Sequence, residues 1–141
     1  MNSKFTLIAR LLLAVLLLVF GFNKFFHYMP MPELQGSAAE VMMGFAKTGY
    51  IFPAVGIIEV AVGFFLLVNR FSALALILMA PVTVNMLLFH LYHDLGGIVA
   101  AAVIGVLNVV LLFAYKPSYS GVLAAKSEMC SCSGETSEEA E

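Results

Sequence analysis

A carboxylate, two bases and two amides stand inside stretches that are otherwise almost wholly apolar. Glu59 lies near the midpoint of 49–68, GYIFPAVGIIEVAVGFFLLV. Arg10 and Lys24 bracket LLLAVLLLVFGFN; Asn85 follows one turn after Pro81 in APVTVNMLLFHL; Asn108 closes a stripe of small residues further on. Groups of these types can pair as ions, exchange protons or hydrogen-bond a bound carbonyl oxygen. An ionisable group at bilayer mid-depth costs at least ~2.5–3.5 kcal/mol, so it faces a partner or a cavity and not lipid. Glu59 is expected either to pair with Arg10 or to be kept neutral by its apolar surroundings. Packing offers a plainer explanation for all of them: buried polar residues also specify helix register, as Asn85 and Asn108 would do. His90 and His93, spaced i,i+3, permit shared metal coordination, but two histidines at a helix end are more ordinarily interface residues. No metal site is assigned.

The elements that must position these groups are membrane helices. Of 141 residues, 62% are hydrophobic and 11% charged, far below the ~25% charge of soluble domains. Runs at about 5–25, 49–68, 71–91 and 95–115 have the length of bilayer spans. The reading is an all-α integral membrane four-helix bundle, a single domain over 1–119. In the first span Arg10, Ala14, Leu17, Gly21 and Lys24 share one stripe at 3.6 residues per turn. In the second, Gly56 and Gly63 flank Glu59 on its own face and let a neighbouring helix approach. Pro81 should bend the third span or free a carbonyl. Along that helix Tyr92 returns to Asn85's face, whereas His90 points well away from it. The fourth carries Gly97, Ala101, Gly105 and Asn108 on one face. The connection 26–48 is broken by prolines, and 37–47 reads as a short amphipathic helix lying on the membrane or over the bundle mouth. Ser37 would be its N-cap, with Glu40 completing a capping box, and Val41, Met42 and Phe45 its apolar side. Rise along the helices suggests an inner polar layer of Arg10, Glu59 and Asn108 and an outer one of Lys24, Asn85 and the histidines.

The first span resembles a signal peptide, but no small-x-small site follows it, so a retained helix is expected. Lys4, Arg10, Arg70, Lys116 and Lys126 fall on one side against Lys24 and Lys47 on the other, which places both termini in the cytoplasm. Residues 120–141 read as a disordered acidic tail whose only chemistry is the pair Cys130 and Cys132, a weak motif without a second pair. The net charge of −2 comes from that tail, and the absence of a basic patch excludes nucleic-acid binding.

Taken in order, GFNKFFHYMP, then TGY and IIEVAVGFFLLVNR, then APVTVNMLLFHL resemble the DoxX-like family over about 10–116. The resemblance implies a small four-helix protein of the bacterial inner membrane, in a family named for a subunit of a thiosulfate:quinone oxidoreductase complex. Other members are linked to membrane redox or thiol-stress complexes. The matching positions are Arg10, Asn23, Lys24, Glu59, Asn85 and His90. Three functions follow as expectations. The first is a redox component holding a quinone or similar lipophile, with Lys24, Asn85 or His90 on a carbonyl oxygen and Glu59 exchanging protons. No haem, flavin or iron–sulfur motif occurs in the sequence, so a redox partner protein would deliver electrons. The second is a non-catalytic membrane subunit or assembly factor. The third is a small transporter, which would require a homo-oligomer.

Overall fold

The computed structural model describes residues 3–29 and 34–119, so the Cys130–Cys132 tail lies outside the described residues. Five α-helices follow one another: α1 Ser3–Phe26, α2 Ser37–Thr48, α3 Ile51–Leu67, α4 Ser72–Tyr92 and α5 Ile98–Ala114. Short 3-10 turns at Leu95–Gly97 and Lys116–Tyr119 flank α5. No strand occurs among the described residues. Three stretches, Ser3–Phe26, Ser72–Tyr92 and Leu95–Ala114, are long and apolar enough to cross a membrane. The fourth candidate is a bent pair, α2 with α3, turned by 87° at its break. Gly49 makes that corner in the left-handed conformation, φ 75°, which only glycine adopts without strain.

These spans bury one stripe each and leave the rest outward. On α1 the buried stripe is Ala9, Arg10, Leu13, Ala14, Leu17 and Gly21. Phe5, Ile8, Leu12, Val15, Val19 and Phe22 face out, apolar as a lipid-exposed surface requires. The core is built from Leu13, Leu17, Val62, Leu66, Leu76, Met79 and Leu111, drawn from α1, α3, α4 and α5 and fully buried.

The closest pairing is antiparallel α1 on α3, and glycines set its distance. A Cβ on Gly21 would stand 3.1 Å from Glu59 Cβ and 2.8 Å from Val60 Cγ2; one on Gly56 would meet the Phe25 ring at 2.8 Å. Gly63 sits as tightly against Leu18 and the Ala14 carbonyl. Small residues therefore let two backbones meet, as apolar side chains alone do not in lipid. On the other side α4 packs against α5, where Gly105 receives Leu87. The expected Asn69–Arg70 connection is present, with Asn69 at φ 55° and its Oδ1 accepting from Ser72 Oγ (3.3 Å) and Tyr115 Oη (3.1 Å).

Helix α2 differs at its start from the sequence expectation. Gly36, at φ 60°, takes the cap position, and no side chain caps the helix. The Ser37 hydroxyl instead shares a hydrogen bond with His93 Nδ1 at the end of α4, 3.0 Å away. A capping box satisfies a local helix end; this bond ties α2 to the rest of the molecule.

Gly21→Ala should lower stability by about 1–3 kcal/mol, because Val60 and Glu59 must give way. Gly44→Ala, on an exposed part of α2 with nothing within 4 Å, should be neutral or stabilising by up to ~1 kcal/mol. Thermal unfolding of the two variants in detergent checks the contrast.

Candidate functional site

The α1–α3 register decides which base meets Glu59. Gly21 lies opposite Glu59 and Gly56 opposite Lys24 and Phe25, so Lys24 stands about one turn from Glu59 toward the start of α3. The same register puts Arg10 about three turns the other way, opposite the end of α3. Lys24 Nζ accordingly donates to Glu59 Oε2 at 2.5 Å. The carboxylate side chain is 4% exposed and the lysine 23%. The expected Arg10–Glu59 pair does not form. Arg10, itself buried, donates from Nη1 to the Leu66 carbonyl at 2.7 Å, a helix-end acceptor that also takes the Asn69 N–H at 3.3 Å. Asn108 is likewise buried and reaches the Leu76 carbonyl, 3.5 Å from its Nδ2. The inner polar layer thus dissolves into two separate helix-packing contacts, and Glu59 belongs with the outer group.

That outer group lines a cavity of about 540 Å³, within the range of small-molecule sites. All five helices contribute. Lys24 and Phe20 come from α1, Met42 and Phe45 from α2, Phe52, Val55 and Glu59 from α3, and Ala101 and Ile104 from α5. Helix α4 supplies Pro81, Asn85, Phe89 and His90. Pro81 has no N–H to give the Ile77 carbonyl, but α4 runs through it as a single helix. The apolar side of α2 covers one flank, as its amphipathic pattern predicted. A smaller hollow of about 210 Å³, lined by Val41, Leu88, Tyr92 and His93, shares Phe45, Asn85 and Phe89 with the larger one.

His90 was expected to point well away from Asn85, yet both line the cavity. The reason is local. His90 Nδ1 lies 3.1 Å from both the Asp94 carbonyl and Asp94 Oδ2, two acceptors, so Nδ1 carries the proton and donates. The ring is drawn back over the start of α5, where a Cβ on Gly97 would come within 2.2 Å of it. Asp94 was the partner that the sequence reading missed, although its i,i+4 spacing from His90 was the available signal. His93 turns instead to Ser37, so the two histidines have separate partners.

Asn85 completes the wall. Its amide has no hydrogen-bond partner among the described residues, and it faces a space bounded by Phe45, Met86 and Phe89. Asn23 is not in the cavity wall. It turns the chain at the end of α1, its Oδ1 accepting the Met29 N–H at 2.8 Å, beside a bond from the Tyr28 hydroxyl to the Val19 carbonyl. Of the seven candidates, Lys24, Glu59, Asn85 and His90 share one cavity, while Arg10, Asn23 and Asn108 hold the fold.

The model of the DoxX family matches residues 5–91, which takes in α1 to the last turn of α4 and every cavity residue except those of α5. No curated protein matches the chain, and no solved structure does.

Lys24→Met leaves a carboxylate alone in an apolar wall and should cost about 3–5 kcal/mol, most of it recovered in Lys24→Met/Glu59→Leu. Arg10→Ala combined with Glu59→Gln should be additive to within ~0.5 kcal/mol. Equilibrium unfolding in mixed micelles measures both cycles.

Proposed function

Because the chain belongs to the DoxX family of membrane proteins, we propose that it is a component of a membrane redox system that holds a lipophilic ligand of quinone type in the five-helix cavity. The observation that carries this reading is the unpartnered Asn85 amide in an apolar space of about 540 Å³. Asn85 is exposed on the cavity wall, and its uncommitted amide is free to hydrogen-bond a molecule bound there. A ring with carbonyl oxygens fits that donor set: the Asn85 amide on one oxygen, and the N–H groups that Lys24 does not give to Glu59 near another. Phe45, Phe52 and Phe89 offer apolar contact to the ring.

The chain's own residues then have distinct tasks. Asn85 orients the ligand, Lys24 donates to it, and Glu59 exchanges a proton with Lys24 at the cavity wall without changing the charge of the pair. A quinone would carry electrons and protons together between membrane partners, and electrons would come from a partner protein. In this reading the four apolar spans form a bundle in the bacterial inner membrane with both termini cytoplasmic, in accord with the distribution of Lys4, Arg70 and Lys116. Helix α2 lies along the outer surface and the cavity is in the outer half of the bilayer.

The test is extraction of lipids from protein purified from its native membrane. A quinone at near-stoichiometric level is expected, falling about tenfold in Asn85→Leu, the equivalent of one hydrogen bond. Absence of quinone together with a stoichiometric co-purifying protein would replace this reading with that of a non-catalytic subunit.

A further inference from the structure

The cavity carries two bases, and each has a carboxylate of its own. Lys24 Nζ is 2.5 Å from Glu59 Oε2, and His90 Nδ1 is 3.1 Å from Asp94 Oδ2. Arg10, the other cation within the helical core, is committed to the Leu66 carbonyl and does not line the cavity. The polar lining group without a partner among the described residues, Asn85, is neutral. A wall built for an anionic headgroup would leave a cation facing the space; this wall cancels every cation and leaves an amide.

We propose that Glu59 is the specificity-determining residue that makes this cavity accept neutral amphiphiles and refuse anionic ones. This rests on the reading of the cavity as a lipophile site and adds its selection rule. Bacterial membranes are rich in anionic amphiphiles, which would compete for any unpaired ammonium in a low-dielectric pocket, where charge attraction is many times stronger than in water. Glu59 removes that attraction and sets a like charge at contact distance from any incoming carboxylate. A neutral carbonyl or hydroxyl loses nothing, since Lys24 still has N–H groups to donate. Proton transfer within the Lys24–Glu59 pair leaves its sum at zero, so the loss of attraction does not depend on which of the two holds the proton, while the repulsion acts when Glu59 is ionised. Asp94 acts in the same way on His90 toward the outer end.

The experiment compares two probes with one tail and different heads, tritiated oleate and oleyl alcohol. Each is titrated onto the full chain in phosphatidylcholine nanodiscs, with empty nanodiscs as the blank. Wild type should bind oleyl alcohol at least about tenfold more tightly than oleate. Glu59→Gln, which leaves the Lys24 charge uncancelled, should gain about tenfold or more in oleate affinity and change little toward the alcohol, and Lys24→Met/Glu59→Gln should lose that gain. Equal wild-type affinity for both heads overturns the proposal without recourse to any variant, as does a folded Glu59→Gln with no gain for oleate. Wild type binding neither probe while Glu59→Gln binds oleate would sink the lipophile reading and the acceptance of neutral amphiphiles, and uphold only the refusal of anions by Glu59. No binding of either probe to any of the proteins would end both.

Discussion

An ammonium and a carboxylate meet inside an apolar protein only if their helices come close enough for the pair to be short. Here that closeness is supplied by Gly21 and Gly56, whose missing side chains leave room for Val60, Glu59 and Phe25. The Lys24–Glu59 pair that results is the constraint on which the cavity depends. It fixes the α1–α3 register, neutralises a charge that the membrane would otherwise reject, and forms one wall of the space among the five helices. A one-turn slip between these two helices would strand both ions and drive the Phe25 ring into a side chain.

The other polar groups of the spans follow a different rule. Arg10 and Asn108 are spent on main-chain carbonyls, those of Leu66 and Leu76, and Asn69 joins the α3–α4 turn to the end of α5. Each of these bonds closes a local account of donors and acceptors, as lipid, offering no water, demands. Asn85 stands outside this bookkeeping, and it stands on the cavity. Thr83 Oγ1 and Tyr119 Oη are buried without a partner as well, so what points to a ligand is not the leftover amide alone but its position on the cavity wall.

The helices themselves were legible in the sequence, since apolar length and the small-residue stripes through Gly21, Gly56, Gly63 and Gly105 predicted helices and buried faces to within a few residues. So was the gathering of Lys24, Asn85 and the histidines toward one end. The partner of Glu59 was not. Judging depth by counting residues from each span's start assumes that all spans begin level, but α3 starts at the Gly49 corner and has 17 residues against 24 in α1. That offset is a tertiary property, visible only when Gly21 is found opposite Glu59. The Ser37 cap failed for a similar reason, because His93, distant in sequence, competes for the hydroxyl. The cavity's existence depends on how five helices diverge, which no local pattern encodes.

The most direct test of this account is the separation between the Lys24 side-chain nitrogen and the Glu59 carboxyl carbon in lipid bilayers. Dipolar recoupling by solid-state NMR, on protein carrying 15N-labelled lysine and 13C-carboxyl-labelled glutamate, measures it, and Lys24→Met identifies the signal. The account predicts a contact-range distance, below about 4 Å, on a Glu59 carboxyl that disappears from the recoupled spectrum in Lys24→Met. A Glu59 carboxyl without a lysine nitrogen in that range, or one dephased instead by labelled arginine, would contradict it.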